Sequence, residues 1–507
     1  MSIDRPRETN VIVKDPRKVD VLFGYCYPST YRAGMTGLAL QIFYSTLNSR
    51  DDTSCERYFR HQTPNPARSL ESGRRLRRNH ILGFTLTYEE DILNLIQMLE
   101  EGGIPTLASA RTSEDPVVIV GGPVGSANPQ PYVDFVDAFV IGDGDLVIHE
   151  LINTVKNASS RKDVIDDMAE LKGVYVPTAE PESVRRLTIG DLDSLDYPLA
   201  QVVPEEETDS RMEPVFGRSF LLEVTRGCGH SCKFCLVGHV CRPRRTRSLN
   251  RLVEIIERGI PATGVDKVSL IGSSLGDLDQ LEELVCGTID RNLQVSVPSL
   301  RADSVTEALL ECLVKGGQRT FTIAPETGSQ SLRRNMGKGL DDAAIHDAVK
   351  MAASAGYRSL KLYFVIGLPG ESEADLDATT KMIQDLAASS GMRVTASINP
   401  FIPKAQTRWQ REPQLAIKEM RRRLKKIENG LKGSRVTIES LDLRSARIQA
   451  ALSIGDSSLG RVILKAATYG GYGGWRRGEK ETGIPFMDLA SNPIHLEGGL
   501  PWAFLNT

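Results

Sequence analysis

The sequence predicts an α/β protein with two successive regions of parallel sheet. Two stretches, at about residues 19–165 and 216–410, alternate short apolar strands with helical segments. Continuously apolar strands are typical of parallel sheets buried on both faces. Turns with glycine follow several strands, where the backbone can approach a ligand closely. We therefore expect a doubly wound domain, a second domain of repeated strand-helix units, and a small C-terminal α+β region.

Length and composition fit this division. At 507 residues the chain is too long for one ordinary core, and domain-size statistics suggest about two to four domains. We divide it into an N-terminal arm (1–18), a doubly wound domain (19–165), a connector (166–215), a repeated strand-helix domain (216–410) and a C-terminal substrate-side region (411–507). Hydrophobic content of 40%, charged content of 25% and a net charge of -3 predict a soluble protein without a global nucleic-acid signature.

We expect no targeting signal in this chain. The start has no apolar stretch resembling a signal peptide, and no later run reaches about 18 apolar residues. We expect a cytoplasmic protein with no membrane span. Eight Cys in so long a chain do not predict a disulfide framework, and Cys55, Cys241, Cys286 and Cys312 are expected to be structural.

The first domain has strand patterns at residues 21–23, 81–86, 117–120 and 138–141, and helix patterns at 37–47 and about 89–101. Residues 24–31 are expected to form the loop after the first strand, with Cys26 facing an inter-domain cleft. Gly121 and Gly122 follow the third strand, and Gly142 and Gly144 follow the fourth. Because carboxyl ends of parallel strands share one edge, these glycines predict a ligand site there.

The second domain has six strand patterns, at residues 221–224, 267–271, 294–298, 320–324, 359–366 and 393–398, with a first helix at about 249–259. This repetition predicts a partial (β/α)6 barrel, in which functional groups gather at the carboxyl ends of the strands. Elsewhere, residues 186–189 are a candidate strand, 205–207 an acidic exposed loop and 416–426 a basic helix. The mixture of glycine and aromatic residues at 467–477 predicts a loop that contacts substrate.

Three cysteines follow the first of these strands. Cys228, Cys232 and Cys235 are spaced by four and three positions in the segment 225–235. Thiolates favour iron-sulfur clusters or zinc, and three of them leave one iron of a cubane without a protein ligand. A zinc site completed by His230 or His239, or three buried apolar thiols, are the alternatives, although no second Cys-x-x-Cys pair is present.

This segment resembles the signature of the radical S-adenosylmethionine superfamily, including Phe234 before the third Cys. The resemblance implies a 4Fe-4S cluster that reductively cleaves S-adenosylmethionine to a 5′-deoxyadenosyl radical, with an electron donor such as ferredoxin or flavodoxin. Turns after later strands match cofactor-binding positions of the methylthiotransferase-type barrel: Gly272 and Ser273, Ser299 and Arg301, Glu326 and Ile366. There Ser or Arg meets the methionyl carboxylate, and Glu approaches the ribose or the amine. The carboxylate usual beside Gly272 is missing, with Asp277 only nearby.

Residues 19–165 resemble the Rossmann-like cobalamin-binding domain that precedes many enzymes of this superfamily, with Gly121, Gly122, Gly142 and Gly144 at the matching turns. The loop after the first strand lacks the Asp-x-His-x-x-Gly that supplies an axial imidazole. The resemblance implies cobalamin bound without a His ligand, or a domain that has lost cobalamin. A generic sheet domain whose glycines are turn residues is the alternative.

The resulting hypothesis is cobalamin-dependent methylation of an unactivated carbon in a protein, an RNA or another substrate. One alternative is radical modification of transfer RNA without cobalamin, as methylthiotransferases perform, suggested by residues 324–338 and the arginines at 242–247. The other is a non-catalytic iron-sulfur binding or assembly factor.

Overall fold

The computed structural model describes residues 5–63, 65–206 and 211–506. Residues 1–4 of the predicted arm and Glu207 of the predicted acidic loop lie outside these ranges. The described part contains a parallel sheet near the N-terminus, two parallel sheets in the middle of the chain and a helical C-terminal part.

The first sheet has six strands in the order β3-β2-β4-β5-β6-β7, parallel except for β7. Before it, β1 is Glu8–Thr9; the sheet comprises β2 (Val21–Thr30), β3 (Thr53–His61), β4 (Ile81–Thr85), β5 (Val117–Gly121), β6 (Ala138–Val140) and β7 (Val174–Tyr175). The helices are α1 (Tyr31–Thr36), α2 (Leu38–Asn48), α3 (Asp91–Glu101), α4 (Pro123–Ala127), α5 (Ile148–Asn157) and α6 (Arg161–Ala169). β3 lies on one side of β2, and the chain then crosses to β4 on the other side of β2. β2 and β4 therefore flank a topological switch point. Folds of this kind bind ligands at such points.

The connector contributes two short strands, β8 (Val184–Arg185) and β9 (Val203–Pro204). β9 pairs with β1, which anchors the N-terminal arm. The predicted strand at residues 186–189 is wrong. Leu187 instead forms an isolated bridge with Gly142 beyond β6.

All six predicted strands of the middle region are present: β10 (Phe220–Glu223), β13 (Lys267–Ile271), β14 (Gln294–Ser296), β15 (Thr320–Glu326), β16 (Ser359–Ile366) and β17 (Arg393–Pro400). A short hairpin, β11 (Thr225–Arg226) and β12 (Arg245–Thr246), flanks the Cys loop. β10-β13-β14 form one parallel sheet, and β15-β16-β17 form another with an unpredicted strand, β18 (Val436–Glu439).

Helices connect these strands: α7 (Val237–Val240), α8 (Leu249–Thr263), α9 (Leu281–Asp290), α10 (Glu307–Lys315), α11 (Gln330–Asn335), α12 (Asp342–Ala355), α13 (Glu373–Ser390) and α14 (Ile417–Gly430). α14 confirms the predicted basic helix. Cys286 of α9 and Cys312 of α10 form a disulfide, because the two helices bring their Cα atoms within 5.4 Å. Sequence spacing did not predict this pairing.

The C-terminal part consists of α15 (Leu443–Ile454), α16 (Gly460–Tyr469), α17 (Gly471–Thr482), α18 (Phe486–Leu489) and the short β19 (Leu505–Asn506), which pairs with β8. The predicted loop at residues 467–477 is wrong: only Gly470 lies between α16 and α17, and Gly470 and Gly471 have φ angles of 70° and 56°. Trp475 is 1% exposed and stacks on Phe486. The glycines allow α16 and α17 to pack closely, so this segment belongs to the core shared with α3.

The predicted loop at residues 24–31 is also mostly strand. β2 continues to Thr30 because it pairs with β3 on one side and β4 on the other. Cys26 is therefore fully buried in a hydrophobic core and does not face a cleft. Burial raises the pKa of its thiol well above the usual value.

Candidate active site

The three predicted cluster ligands lie on the loop after β11. This loop is at the carboxyl end of the strands of the β10-β13-β14 sheet. Gly227 begins this loop at φ 79°, and a Cβ there would lie 1.9 Å from the Cys241 carbonyl oxygen, so the turn requires glycine. Cys228 is 8% exposed, while Cys232 and Cys235 are partly exposed. The loop thus holds three thiols between the ends of the strands and solvent.

The electrostatics of the thiols suit a metal cluster. Burial raises the pKa of Cys232 to about 11 and also raises that of Cys235, and the neighbouring thiols act in the same direction. Thiolates at Cys232 and Cys235 therefore need nearby positive charge, which bound iron supplies. In a cubane each thiolate binds a different iron. Within residues 5–63, 65–206 and 211–506, no three His, Cys, Asp or Glu side chains form a group that could hold a single metal ion.

The two histidines considered as zinc ligands have other contacts. His230 Nε2 lies 2.7 Å from Asp277 Oδ2, and His239 Nδ1 lies 2.8 Å from the Cys235 carbonyl oxygen. Asp277, expected only near the site, therefore fixes a side chain of the cluster loop.

The turn after β13 packs against the Cys loop. A Cβ at Gly272 would lie 2.4 Å from Thr225 Oγ1, which donates a hydrogen bond to the Ser273 carbonyl oxygen at 3.0 Å. Ser274 adopts φ 51°, and its hydroxyl lies 3.3 Å from Cys228 Sγ. Gly272 and Ser273 are thus placed beside the cluster loop, and Ser274 is a contact that the sequence did not reveal.

The turns after β14 and β15 converge on Cys232. Arg301 donates to both oxygens of Asp303, at 3.0 and 2.6 Å. Burial lowers the pKa of Arg301, but Asp303, Asp277 and Cys232 outweigh the effect of burial, so the pKa is raised.

Glu326 is 9% exposed, adopts φ 67° and pairs with Lys338 at 2.7 Å. Lys338 was not among the predicted site residues.

Two other predicted residues are placed differently. Ser299 is exposed. Ile366 is 1% exposed at the end of β16, where its carbonyl oxygen accepts a hydrogen bond from the Phe401 N–H at 2.8 Å. That carbonyl already has a protein partner, and the cofactor-binding role of Ile366 remains a prediction.

A cavity of about 590 Å³ separates the N-terminal sheet from the Cys loop. Its walls include the four predicted sheet-edge glycines and both residues predicted after β13, namely Gly121, Gly122, Gly142, Gly144, Gly272 and Ser273. Gly142 is at φ 97°, and a Cβ there would lie 2.2 Å from the Leu187 carbonyl oxygen, whereas a Cβ at Gly121 would have no heavy atom within 4 Å. The fold of the loop after β6 therefore requires glycine at position 142, whereas Gly121 leaves open space in the cavity wall.

Ion pairs connect the two walls of this cavity. Arg226, two residues before Cys228, pairs with Asp145 at 2.7 Å and with Asp143 at 3.3 Å from the loop after β6. It also pairs with Glu223 at 2.8 Å. The pKa of Arg226 is raised, because these carboxylates outweigh its burial. The sheet-edge loop and the cluster loop are thereby joined.

The arginines at 242–247 mainly support this architecture. Arg242 donates to the carbonyl oxygens of Gly229 and His230, at 3.2 and 3.1 Å. Arg245 pairs with Asp143, and the buried Arg247 pairs with Glu223, each at 3.2 Å. These contacts weaken the case for a nucleic-acid patch at this run. Cys241, expected to be structural, lies in the cavity wall.

No helix within the described residues is long and apolar enough to cross a membrane.

Comparison with known proteins agrees with this architecture. Residues 39–177 match the family described as "Radical SAM proteins, N-terminal", and residues 222–383 match the "Radical SAM superfamily". An uncharacterised protein of Methanocaldococcus jannaschii is 30% identical over 438 residues, covering 86% of this chain and 89% of that protein. An uncharacterised methyltransferase of Pyrococcus horikoshii is 25% identical over 285 residues, covering 54% of this chain and 59% of that protein.

Two solved structures share the fold at low sequence identity. The radical S-adenosylmethionine methyltransferase TsrM from Kitasatospora setae, with cobalamin and a 4Fe-4S cluster bound, has a TM-score of 0.58 and 13% identity, and the match covers 92% of this chain and 98% of TsrM. The cobalamin-dependent radical enzyme OxsB has a TM-score of 0.52 and 13% identity, covering 92% of this chain and 72% of OxsB. Together with the matched family and the Cys loop, these findings show that the chain is a radical S-adenosylmethionine enzyme and belongs to the radical S-adenosylmethionine superfamily.

Proposed function

We propose that this enzyme is a cobalamin-dependent methylase whose cavity between the N-terminal sheet and the Cys loop holds cobalamin. The observation that carries the proposal is the composition of the cavity wall. Sheet-edge glycines form one side, and Gly227, Gly272 and Ser273 beside the cluster loop form the other. A group bound there would lie between the sheet and the radical site.

The residues of the cavity fit such a ligand. Phe23 of β2 and Phe84 and Thr85 of β4 line it, so it opens at the switch point of the sheet. A volume of about 590 Å³ falls within the range of pockets for small molecules and cofactors. None of the seven His lines the cavity, so this chain would supply no imidazole to the cobalt.

The chain's own residues then have distinct tasks. Cys228, Cys232 and Cys235 would hold the 4Fe-4S cluster. The ion pairs of Arg226 with Asp143 and Asp145 fix the cluster loop against the sheet-edge loop. When bound, the cluster supplies an electron to S-adenosylmethionine, and cobalamin supplies a methyl group. The protein's contribution is to hold the groups in one enclosed space, with an unactivated carbon as the proposed acceptor.

The compared proteins support this assignment. TsrM and OxsB are described with bound cobalamin, and each match covers both the sheet domain and the barrel of this chain. The Pyrococcus horikoshii relative is named a methyltransferase.

The direct test is anaerobic reconstitution with iron and sulfide, with and without cobalamin, followed by addition of S-adenosylmethionine, a reductant and macromolecules from cell extract. We expect 5′-deoxyadenosine in both samples and a mass gain of one methyl group in the extract only with cobalamin. The proposal would be wrong if methylation were independent of cobalamin, or if no methylated product accompanied 5′-deoxyadenosine.

A second candidate, insertion of a methylthio group, is favoured by one relative. A protein of Methanocaldococcus jannaschii named a putative methylthiotransferase is 25% identical over 268 residues, covering 49% of this chain and 53% of that protein. Against it, the five other Cys form no second triplet: Cys286 and Cys312 are paired, Cys26 and Cys55 are buried, and Cys241 lies in the cavity wall. The same mass analysis separates the candidates, because methylthio and methyl additions differ in mass. A cluster that never cleaves S-adenosylmethionine would indicate an assembly factor.

A further inference from the structure

We infer that the chain carries a docking surface for a folded RNA, at the amino ends of β15, β16, β17 and β18 and along one face of α14. The surface binds phosphate groups of the RNA backbone. This inference goes beyond the proposed function and depends on neither cobalamin nor the iron-sulfur cluster.

An arginine stands at the start of each of these four strands, whose order in the sheet is β15-β16-β17-β18. The Arg358 N–H donates to the Arg319 carbonyl oxygen at 3.0 Å, and the Arg393 N–H donates to the Arg358 carbonyl oxygen at 3.1 Å. Arg435 directly precedes β18, which pairs with β17. Neighbouring strands lie about 4.8 Å apart, so this arginine row (Arg319, Arg358, Arg393 and Arg435) spans roughly 14 Å.

The arginine row carries its positive charge at the surface, because all four side chains are exposed. Arg319 donates to the Val314 carbonyl oxygen at 2.6 Å, a partner without charge. Within the described part of the chain, no carboxylate pairs with an arginine of the row or with the exposed Lys315 and Lys432 beside it. Six cations therefore produce a positive field at this edge of the sheet.

One face of α14 continues the positive surface. Lys418, Arg421 and Lys425 are exposed and recur at intervals of three and four residues, so they lie on one face of the helix, the α14 stripe. The stripe forms no ion pair with any residue that the structure describes. Three other basic side chains of the helix pair with Glu371 or Glu373, namely Arg422, Arg423 and Lys426. α14 thus has a paired side and a solvent-facing side.

The position of α14 brings its stripe to the arginine row. Before the helix, Leu415 lies against Gly367, just past the carboxyl end of β16, where an added Cβ would be 3.0 Å from the Leu415 side chain. After the helix, the chain reaches Arg435 and enters β18. The docking surface therefore covers two faces, the amino edge of the sheet and the side formed by α14.

The composition of this surface favours RNA. Guanidinium groups present a planar fork of donors that matches phosphate oxygens. Among the described residues, none of the exposed large apolar side chains belongs to the arginine row, to α14 or to residues 431–435. A membrane-binding helix or the centre of a protein interface needs such side chains, and a site for single strands needs aromatic rings that stack on bases. A straight DNA duplex fits one face, whereas a folded RNA follows both.

The test measures binding of labelled, unfractionated transfer RNA to the full-length, cluster-loaded protein by fluorescence anisotropy, between about 50 and 200 mM KCl. Arg393→Gln/Arg435→Gln removes two neighbouring charges of the row. The control, Arg17→Gln/Arg258→Gln, removes two arginines elsewhere, at 87% and 59% side-chain exposure, with the same change in net charge. We expect at least about 10-fold weaker binding and a salt slope lower by about two in the row variant, against less than about 2-fold in the control.

Competitors and a conservative variant identify the partner. A DNA duplex with as many phosphates as the transfer RNA should compete at least about 10-fold less well than unlabelled transfer RNA, and polyglutamate should not compete. Arg393→Lys/Arg435→Lys keeps both charges and should retain most of the affinity. Formation of 5′-deoxyadenosine by the row variant establishes that it is folded and loaded. If it does not fold, Lys418→Gln/Lys425→Gln with the same competitors gives the decision.

Three results would overturn the inference: equal weakening in the row variant and the control, competition by the duplex or polyglutamate as strong as that by transfer RNA, or no salt-dependent binding to the wild type. The assay contains no cobalamin and measures binding alone. Failure of the methylase proposal therefore cannot produce any of these results.

Discussion

Arg226 Nη1 lies 2.7 Å from Asp145 Oδ2, and this contact joins the cluster loop to the edge of the N-terminal sheet. Asp143 and Glu223 contact the same guanidinium. The relationship explains how two domains distant in sequence enclose one cavity.

Replacement of Arg226 tests this connection. Asp143 keeps Arg245 and Glu223 keeps Arg247 in Arg226→Met, so the loss of the cation falls mainly on Asp145. We expect a loss of about 3 kcal/mol in unfolding free energy, the lower end of the cost of breaking a buried pair. The measurement is urea denaturation of the cluster-free protein. Arg258→Met, which removes an exposed pair with Glu254, is the control and should cause no measurable loss. Equal losses in both variants would refute a special role for Arg226.

Gly142 should be indispensable for the sheet-edge loop. Gly142→Ala adds a Cβ at φ 97° that would lie 2.2 Å from the Leu187 carbonyl oxygen. Gly391→Ala is the matched control, because Gly391 also has a positive φ, 63°, but has nothing within 4 Å of the added Cβ. We expect about 1 kcal/mol of destabilisation at Gly391 from backbone strain alone and a clearly larger loss at Gly142. Equal denaturation midpoints would contradict the contact with Leu187.

The helical state of residues 471–482 can be tested at two glycines of α17, one packed against α16 and one with open space around it. A Cβ at Gly474 would lie 2.8 Å from the Ala466 carbonyl oxygen, whereas Gly473 has open space. We expect Gly473→Ala to stabilise the protein by about 0.5–1 kcal/mol, through helix propensity, and Gly474→Ala to destabilise it by about 1–3 kcal/mol through overpacking. A loop would show neither effect. Thermal unfolding of both variants provides the comparison.

Asp91 should make stability depend on pH. Burial raises its pKa from 3.8 to about 6, although hydrogen bonds from Tyr88 and Thr87 oppose the shift. The folded protein therefore holds this proton more tightly than the unfolded chain. The associated stability is fully present below about pH 4 and is lost as pH rises through about 6, by roughly 3 kcal/mol. Urea denaturation from pH 4 to 7 should show this loss in the wild type relative to Asp91→Asn. Parallel profiles would refute it.

Much of the fold follows from sequence, because apolar strands of parallel sheets are distinctive. All six predicted strands of the middle region form, and the Cys loop follows the first of them. β3 was missed because its sequence includes Glu56 and Arg57, whose burial depends on Arg74, Glu8 and Glu71 elsewhere in the chain. The glycine and aromatic residues at 467–477 suggested a loop, because propensity does not reveal the close packing of two helices.

The candidate site was less predictable than the fold. The Cys spacing and the glycines carry local signals, and they lie around one cavity and its neighbouring loop. Lys338 carries no such signal, because only the folded chain brings it to Glu326. Likewise, the pairing of Arg301 with Asp303 is visible only once the side chains are placed.

The most direct test of the central claim is an anaerobic binding titration of cobalamin with cluster-loaded protein. The comparison includes Gly121→Phe, which fills the open space in the cavity wall, and Gly498→Phe, a control glycine that also has nothing within 4 Å of an added Cβ and does not line the cavity. We predict saturable binding to the wild type and to Gly498→Phe, with at least about 10-fold weaker binding to Gly121→Phe. No saturable binding to the wild type, or equal affinity in Gly121→Phe, would contradict the account.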